Sequence, residues 1–290
     1  MKLKFYKYQG AGNDFLIADN RDGSISLTTE QIAAICDRRY GVGADGLMLL
    51  ENPDAETSEG VFPDTPDFLM TYYNSDGSGG MMCGNGGRCI VAFAADMGIR
   101  KFWFKAADGY HSADILSANG SEKIISLDMN DVKSYDHYDS LDGVSVPSDG
   151  YFMDTGTRHF VRMVDGIDEY DVVSEGRDIR YNAKELQPVG ANVNFIEQDG
   201  SVLKVRTYEK GVEYETYACG TGIVASCIAA YKAGIQPSEF LPGNKVRYDV
   251  KAKKDRLSVI FRPLDAFKGV AGEVQLIGPA AFVAEIICEI

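Results

Sequence analysis

The chain has 290 residues, 45% of them hydrophobic and 25% charged, with 43 acidic against 29 basic side chains and a formal net charge of −14. That length suits two ordinary domains with real cores, and the excess of negative charge opposes binding to nucleic acid or to an anionic membrane surface. No stretch reaches the roughly 20 apolar residues of a membrane span, and the N-terminus lacks the apolar core of a signal peptide. A cytoplasmic protein acting on a small molecule is expected, and its six cysteines are expected to be thiols.

Leu3 to Tyr8 alternates as a strand does and runs into Gly10-Ala11-Gly12-Asn13-Asp14-Phe15, a tight turn that leaves Asn13 at the end of a second strand near Leu16 to Ala18. Thr28 with Gln31 spells a capping box for a helix running to about Cys36. Tyr40 to Gly46 then leads into a strand, Leu47 to Leu50. Its order, glycines then strand, is the reverse of a dinucleotide fingerprint and excludes nucleotide binding there. Residues 51 to 67 are acidic and rich in Pro, Ser and Gly, as a solvated loop is. The strand Phe68 to Tyr73 ends at Asn74, and a glycine-rich loop carries the chain to Met82-Cys83-Gly84-Asn85-Gly86.

An apolar run with helical spacing, Cys89 to Met97, begins directly behind that thiol. The first N–H groups of a helix lack an intrahelical partner and carry the positive end of its dipole, so they favour a thiolate and can hold a carboxylate. Taken alone, Cys83 reads equally well as a small buried apolar residue. Strands follow at Phe102 to Lys105 and His111 to Leu116, and the polar stretch Ser117 to Glu122 marks a boundary between residues 1–118 and 119–274, with 275–290 returning to the first half.

The second half predicts a strand at Lys123 to Met129, an acidic loop with one edge strand over Asp131 to Asp149, and strands Tyr151 to Asp154 and Phe160 to Val164. Between the last two stand Thr157, Arg158 and His159. Asn192 opens a strand, Leu203 to Tyr208 ends at Glu209-Lys210-Gly211, and Ala218-Cys219-Gly220-Thr221-Gly222 opens a second apolar helix to Ala233. Strands at Lys245 to Val250, Leu257 to Phe261 and Val274 to Ile277 and a last one through Ile290 complete the chain. At an offset of 136, Cys83, Gly84, Gly86, Ala94, Gly98 and Ile99 fall on Cys219, Gly220, Gly222, Ala230, Gly234 and Ile235, an internal duplication that keeps the thiol.

Two copies of one thiol motif suit inversion of an amino acid α-carbon, which needs a base on one face and an acid on the other. A thiol with a pKa near 8.5 is only about 3% ionised at neutral pH, and half ionisation needs about 2 kcal/mol, much of which a helix N-terminus supplies. Backbone N–H groups of Gly84, Asn85, Gly220 and Thr221 suit the α-carboxylate, where charge develops as the proton leaves.

The motifs at Gly10–Phe15, Tyr73–Gly77, Met82–Gly86, Tyr208–Gly211 and Ala218–Gly222 together resemble the diaminopimelate epimerase family. The resemblance implies an α/β (α+β) fold of two pseudo-symmetric domains, each with mixed and antiparallel strands wrapped around a central helix, and an active site in the cleft between them. It implies catalysis by Cys83 and Cys219 without PLP, metal or nucleotide, in lysine and peptidoglycan precursor synthesis, by a homodimer. It also implies that Asn13, Asn74, Asn192, Glu209 and Lys210 bind the distal amino acid centre of the substrate, with His159 and Glu209 near the thiols. Gly46, Thr157-Arg158 and Lys210 depart from the commoner Gln, Asn-Pro and Arg of that family, and Arg158 is expected to compensate for Lys210 by grasping the distal carboxylate. Two other readings stand beside this one. A relative of the same fold could act on proline or hydroxyproline or as a phenazine-type isomerase, and a redox-active dithiol protein would use the same two cysteines as a disulfide.

Overall fold

A computed structural model of the chain describes residues 2–53, 65–79, 82–264 and 269–289. Of the acidic loop expected at 51 to 67, residues 54–64 lie outside the described residues. The chain divides into two compact units, Met1–Asp128 with Gly278–Ile290, and Met129–Ile277.

The first unit contains the strands β1 (Lys2–Gly10), β2 (Asn13–Asp19), β3 (Gly46–Glu51), β4 (Phe68–Asn74), β5 (Trp103–Ala106), β6 (Gly109–Asn119) and β7 (Glu122–Met129), and the helices α1 (Thr29–Cys36) and α2 (Gly84–Asp96). Both halves of the capping box on α1 form, Thr28 accepting from Gln31 and Gln31 from the N-cap backbone. From β1 to β7 successive pairings are antiparallel, parallel, antiparallel, parallel, antiparallel and antiparallel. The long last strand β17 (Ala271–Glu289) pairs with both β7 and β1 and closes the ring. Inside lies α2, buried from Gly84 to Ala94. A helix apolar on every side, as Cys89-Ile90-Val91-Ala92-Phe93-Ala94 is, has to be a core element.

The second unit adds β8 (Tyr135–Tyr138), β9 (Gly150–Asp154), β10 (Arg158–Met163), β11 (Asn192–Asp199), β12 (Val202–Glu209), β13 (Tyr214–Thr216), β14 (Glu239–Leu241), β15 (Lys245–Lys251) and β16 (Arg256–Pro263), with helices α3 (Val172–Asn182) and α4 (Gly220–Lys232). Along β9, β10, β11, β12, β15, β16 and β17 the pairings again run antiparallel, parallel, antiparallel, parallel, antiparallel, antiparallel. In each unit one helix, α1 or α3, connects the first parallel pair and another, α2 or α4, connects the second. The duplication seen around the thiols therefore extends to an order of seven strands and two connecting helices, to which the second unit adds β8, β13 and β14. Like α2, α4 is buried over its first eleven residues, Gly220 to Ala230.

Three expectations change. Ser117 to Glu122 is the tip of the β6–β7 hairpin, turning at Gly120-Ser121 with Asn119 opposite Glu122 and Gly120 at φ +60°, so β7 belongs to the first unit and the division falls at Asp128 rather than at 118. An Asn-Gly dipeptide between strands signals a hairpin as readily as it does a linker. The two terminal strands expected at Val274 to Ile277 and through Ile290 are one strand of 19 residues, pairing first with β16 and then with β1. Helix α3 was not expected, because only Val172, Gly176 and Ile179 of its polar sequence are buried; Asp171 caps it by accepting from the Ser174 N–H. Among the described residues no helix is long and apolar enough to cross a membrane.

Candidate active site

The strand register lines up the candidate residues within each unit. In the first, Phe15 at the start of β2 pairs with Gly46, and Gly46 with Asn74 at the end of β4. In the second, His159 pairs with Asn192, and Val193 with Tyr208, which sets Asn192 beside Glu209 at the end of β12. The helix after β4 or β12 then starts behind a cysteine. Cys83 and Cys219 are the N-cap residues of two 13-residue helices, with φ/ψ of −117°/118° and −104°/112°. The thiols thus hold the same backbone position in both units, at a terminus whose first N–H groups have no carbonyl to bond within the helix.

Around Cys83 the side chains are amides fixed by charge. Asn13 Oδ1 lies 3.6 Å from Cys83 Sγ and accepts from Asn85 Nδ2 at 3.4 Å, while Asn13 Nδ2 donates to Asp45 Oδ2 at 2.6 Å. The other Asp45 oxygen takes Arg38 at 2.6 Å. Asp14 next door pairs with Lys7 at 2.8 Å and Arg38 at 2.5 Å. Burial alone would raise the Asp14 carboxyl, but hydrogen bonds from Arg38 and Lys7 outweigh it and hold the group below the usual carboxylate range. Arg88, fully buried on α2, donates to Asn85 Oδ1 at 2.8 Å and so turns the Asn85 amide nitrogen toward Asn13.

Asn74 donates to Ser78 Oγ at 3.0 Å and accepts from the Tyr72 hydroxyl at 2.9 Å. The Tyr72 ring crosses the α-carbon of Gly46: a Cβ there would lie 2.6 Å from Tyr72 Cε2 and 2.6 Å from Tyr73 O. Glycine at 46 is therefore what lets Tyr72 reach Asn74.

Around Cys219 the side chains are hydroxyls and a neutral ring. Thr221 Oγ1 stands 3.5 Å from Cys219 Sγ, and His159 Nε2 lies 2.9 Å from both Thr221 Oγ1 and Thr157 Oγ1. Burial pushes the His159 imidazole down to about 3, so it is uncharged at neutral pH. Asn192 donates to Thr157 Oγ1 at 3.3 Å and to Arg158 O at 3.1 Å, and accepts from the Lys210 N–H at 2.8 Å. Glu209 accepts from Thr216 Oγ1 at 2.8 Å. The Arg158 guanidinium lies over the Phe152 ring, 4.9 Å from its centroid.

Within the first unit, then, Asn13, Asn85 and Cys83 are in contact, with Asn74 held by Tyr72. Within the second, Thr157, His159, Asn192, Thr221 and Cys219 form one hydrogen-bonded group, which Lys210 joins through its backbone. All six cysteines are thiols. Three are set apart by burial, which raises Cys36 to about 11 and pushes Cys89 and Cys227 well up, so that they stay protonated. Sequence reasoning missed Asp45, Tyr72, Arg88 and Asn194. Asn194 had a signal, since it follows Asn192 by two on one strand and therefore shares its face. Asp45 and Tyr72 had none, because each acts through a residue on another strand or turn.

A sequence model of the diaminopimelate epimerase family matches residues 5–133 and 151–261. The chain is 41% identical to a diaminopimelate epimerase of Flavobacterium psychrophilum over 98% of its own length and 99% of that protein. In three dimensions it resembles a PhzF-family phenazine biosynthesis protein of Bacillus anthracis, with a TM-score of 0.69, 17% identity and full coverage of both chains. It also resembles a probable proline racemase from Agrobacterium radiobacter, with a TM-score of 0.67 and 12% identity over 99% of this chain and 93% of that one. At such identities the structural likeness establishes a shared fold and leaves chemistry to the sequence relatives.

Proposed function

Because the chain belongs to the diaminopimelate epimerase family, we propose that it interconverts L,L- and meso-diaminopimelate, with Cys83 and Cys219 as the two acid–base groups and no cofactor. The observation that carries this reading is the repeated thiol. Two helices of equal length, in two units that share that order of strands and helices, each present a cysteine at the N-cap in the same backbone conformation. Epimerisation needs two matched proton-transfer groups, and the duplication supplies them.

One cysteine, as thiolate, removes the α-proton, and the other, as thiol, returns one to the opposite face. Each turnover exchanges their protonation states, so both directions of the reaction use the same pair. The α-carboxylate binds the backbone N–H groups of Gly84, Asn85, Gly220 and Thr221, and these dipoles stabilise the charge that spreads onto it as the proton leaves. Asn13, Asn74, Asn192, Glu209 and Lys210 hold the distal amino acid centre, and Arg158, in place of an arginine at position 210, contacts its carboxylate. A homodimer, a cytoplasmic location and a place in lysine and peptidoglycan precursor synthesis belong to the same proposal, and light scattering on the purified protein tests the first.

The direct test is incubation of reduced protein with L,L-diaminopimelate, followed by chiral chromatography, with proline and hydroxyproline as parallel substrates. Formation of the meso isomer alone supports the reading. Conversion of proline or hydroxyproline with no reaction of diaminopimelate overturns it.

A further inference from the structure

His159 is the fully buried titratable group beside Cys219, and its hydrogen bonds fix where its proton sits. Asn194, also fully buried, decides the matter. Its Oδ1 accepts from Thr207 Oγ1 at 2.9 Å, and its Nδ2 lies 3.4 Å from Phe160 O, which can only accept. The amide nitrogen is therefore on the His159 side, 3.0 Å from Nδ1, and donates to it. An Nδ1 that accepts carries no proton, so a neutral ring holds its single proton on Nε2.

That proton points at two hydroxyl oxygens, Thr221 Oγ1 and Thr157 Oγ1. Thr157 Oγ1 also takes the Asn192 amide. A hydroxyl that accepts from the ring has its own proton left to donate, and Cys219 Sγ lies 3.5 Å from Thr221 Oγ1. The ring meets Thr157, Asn194, Thr221 and Gly222, all uncharged. The charged side chains of β10 are engaged elsewhere, Arg158 on Phe152 and Arg162 on Glu175. Cys219, beyond Thr221, is the titratable group this chain of bonds reaches.

We propose that Asn194 is a positioning residue: its amide locks His159 as the neutral Nε2–H tautomer, and the ring in turn aims the Thr221 hydroxyl proton at Cys219 Sγ. His159 is then a donor that supports the thiolate through Thr221. It is not the base that takes the Cys219 proton, since that role needs an unprotonated Nε2. The consequence for catalysis rests on Cys219 being an acid–base group of the reaction, whereas the tautomer does not depend on it.

The test is nitrogen-15 NMR of histidine-labelled protein, with His159 assigned by its absence from His159→Gln. Between about pH 6 and 8 the expected spectrum has a pyridine-type Nδ1 and a pyrrole-type Nε2 that do not titrate. A protonated Nδ1, or a ring that titrates in that range, overturns the proposal whatever the enzyme's substrate is. Asn194→Asp replaces the donor by an acceptor and is expected to move the ring proton to Nδ1 and to lower kcat about tenfold with a smaller change in KM. Thr221→Val, which keeps the shape and loses the hydroxyl, is expected to lower kcat as much while leaving the His159 tautomer unchanged. An unchanged kcat in Thr221→Val, or in Asn194→Asp with the tautomer reversed, refutes the link to Cys219. Complete inactivity of the parent protein on diaminopimelate, with the expected tautomer present, would count against the proposed substrate and leave the positioning of His159 standing.

Discussion

Gly86 and Gly222 hold the same place in the duplication, yet alanine at the two positions should behave differently. A Cβ at 222 would run into Asn194 Oδ1 and lie 3.1 Å from His159 Cε1 and 3.3 Å from Cys219 Cβ. Asn194 cannot withdraw without breaking its bonds to Thr207 and His159. Overpacking of this kind costs roughly 1–3 kcal/mol. Set against the helix-propensity gain of alanine, up to about 1 kcal/mol, the upper end of that range leaves about 2 kcal/mol, and at roughly 2–4 °C per kcal/mol Gly222→Ala should melt about 4–8 °C below the parent. At 86 the neighbours are Met48 Sδ at 3.3 Å, Cys83 Cβ at 3.4 Å and Met70 Cε at 3.5 Å, two of them ends of flexible side chains. There the better helix propensity of alanine, up to about 1 kcal/mol, offsets the crowding, and Gly86→Ala should melt within about 2 °C of the parent. Thermal melts followed by circular dichroism in reductant decide the comparison, with kcat expected to fall in Gly222→Ala. Equal losses of stability at the two positions would refute the account of a crowded, rigid cluster behind Cys219.

Tyr72→Phe removes one hydrogen bond to Asn74, worth about 1 kcal/mol, and should raise KM about fivefold with kcat little changed; an unaltered KM would show that Asn74 does not need Tyr72. Arg158→Ala should raise KM about tenfold if the guanidinium leaves Phe152 to contact the distal carboxylate, and an unchanged KM sinks that assignment. The Asp14 carboxyl is held low in the folded chain, so its stabilising contribution is complete above the ordinary value near 4 and is lost as the pH falls from there toward the folded-state value. Urea midpoints measured on either side of about pH 4 should therefore drop less steeply in Asp14→Asn than in the parent, and parallel curves would contradict the assignment.

The thiols and their helices were legible in the sequence because a Cys-Gly-X-Gly ahead of an apolar helical run is a local signal, and its repetition at a fixed offset makes chance a poor explanation. Alternating strands such as β1 and the capping box at Thr28 were legible for the same reason, since their determinants lie within a few residues. The hairpin at Gly120 was misread because a polar turn looks the same whether it ends a unit or joins two strands. Helix α3 escaped because its polar sequence buries one narrow stripe. In the site, asparagines at strand ends could be proposed from the chain, but what orients them could not. Asp45 turns Asn13 and Tyr72 reaches across Gly46 to Asn74, both contacts created by the strand register. His159 could be named as a supporting residue from the resemblance, while its neutral state follows only from full burial.

The measurement that bears most directly on the two-thiol reading is proton NMR of L,L-diaminopimelate with reduced protein in D2O, run beside Cys83→Ala and Cys219→Ala. The account predicts loss of the α-proton signal together with appearance of the meso isomer in the parent, and no inversion by either variant, because each lacks one of the two groups that must act on opposite faces. Inversion at the parental rate by either folded variant would contradict it.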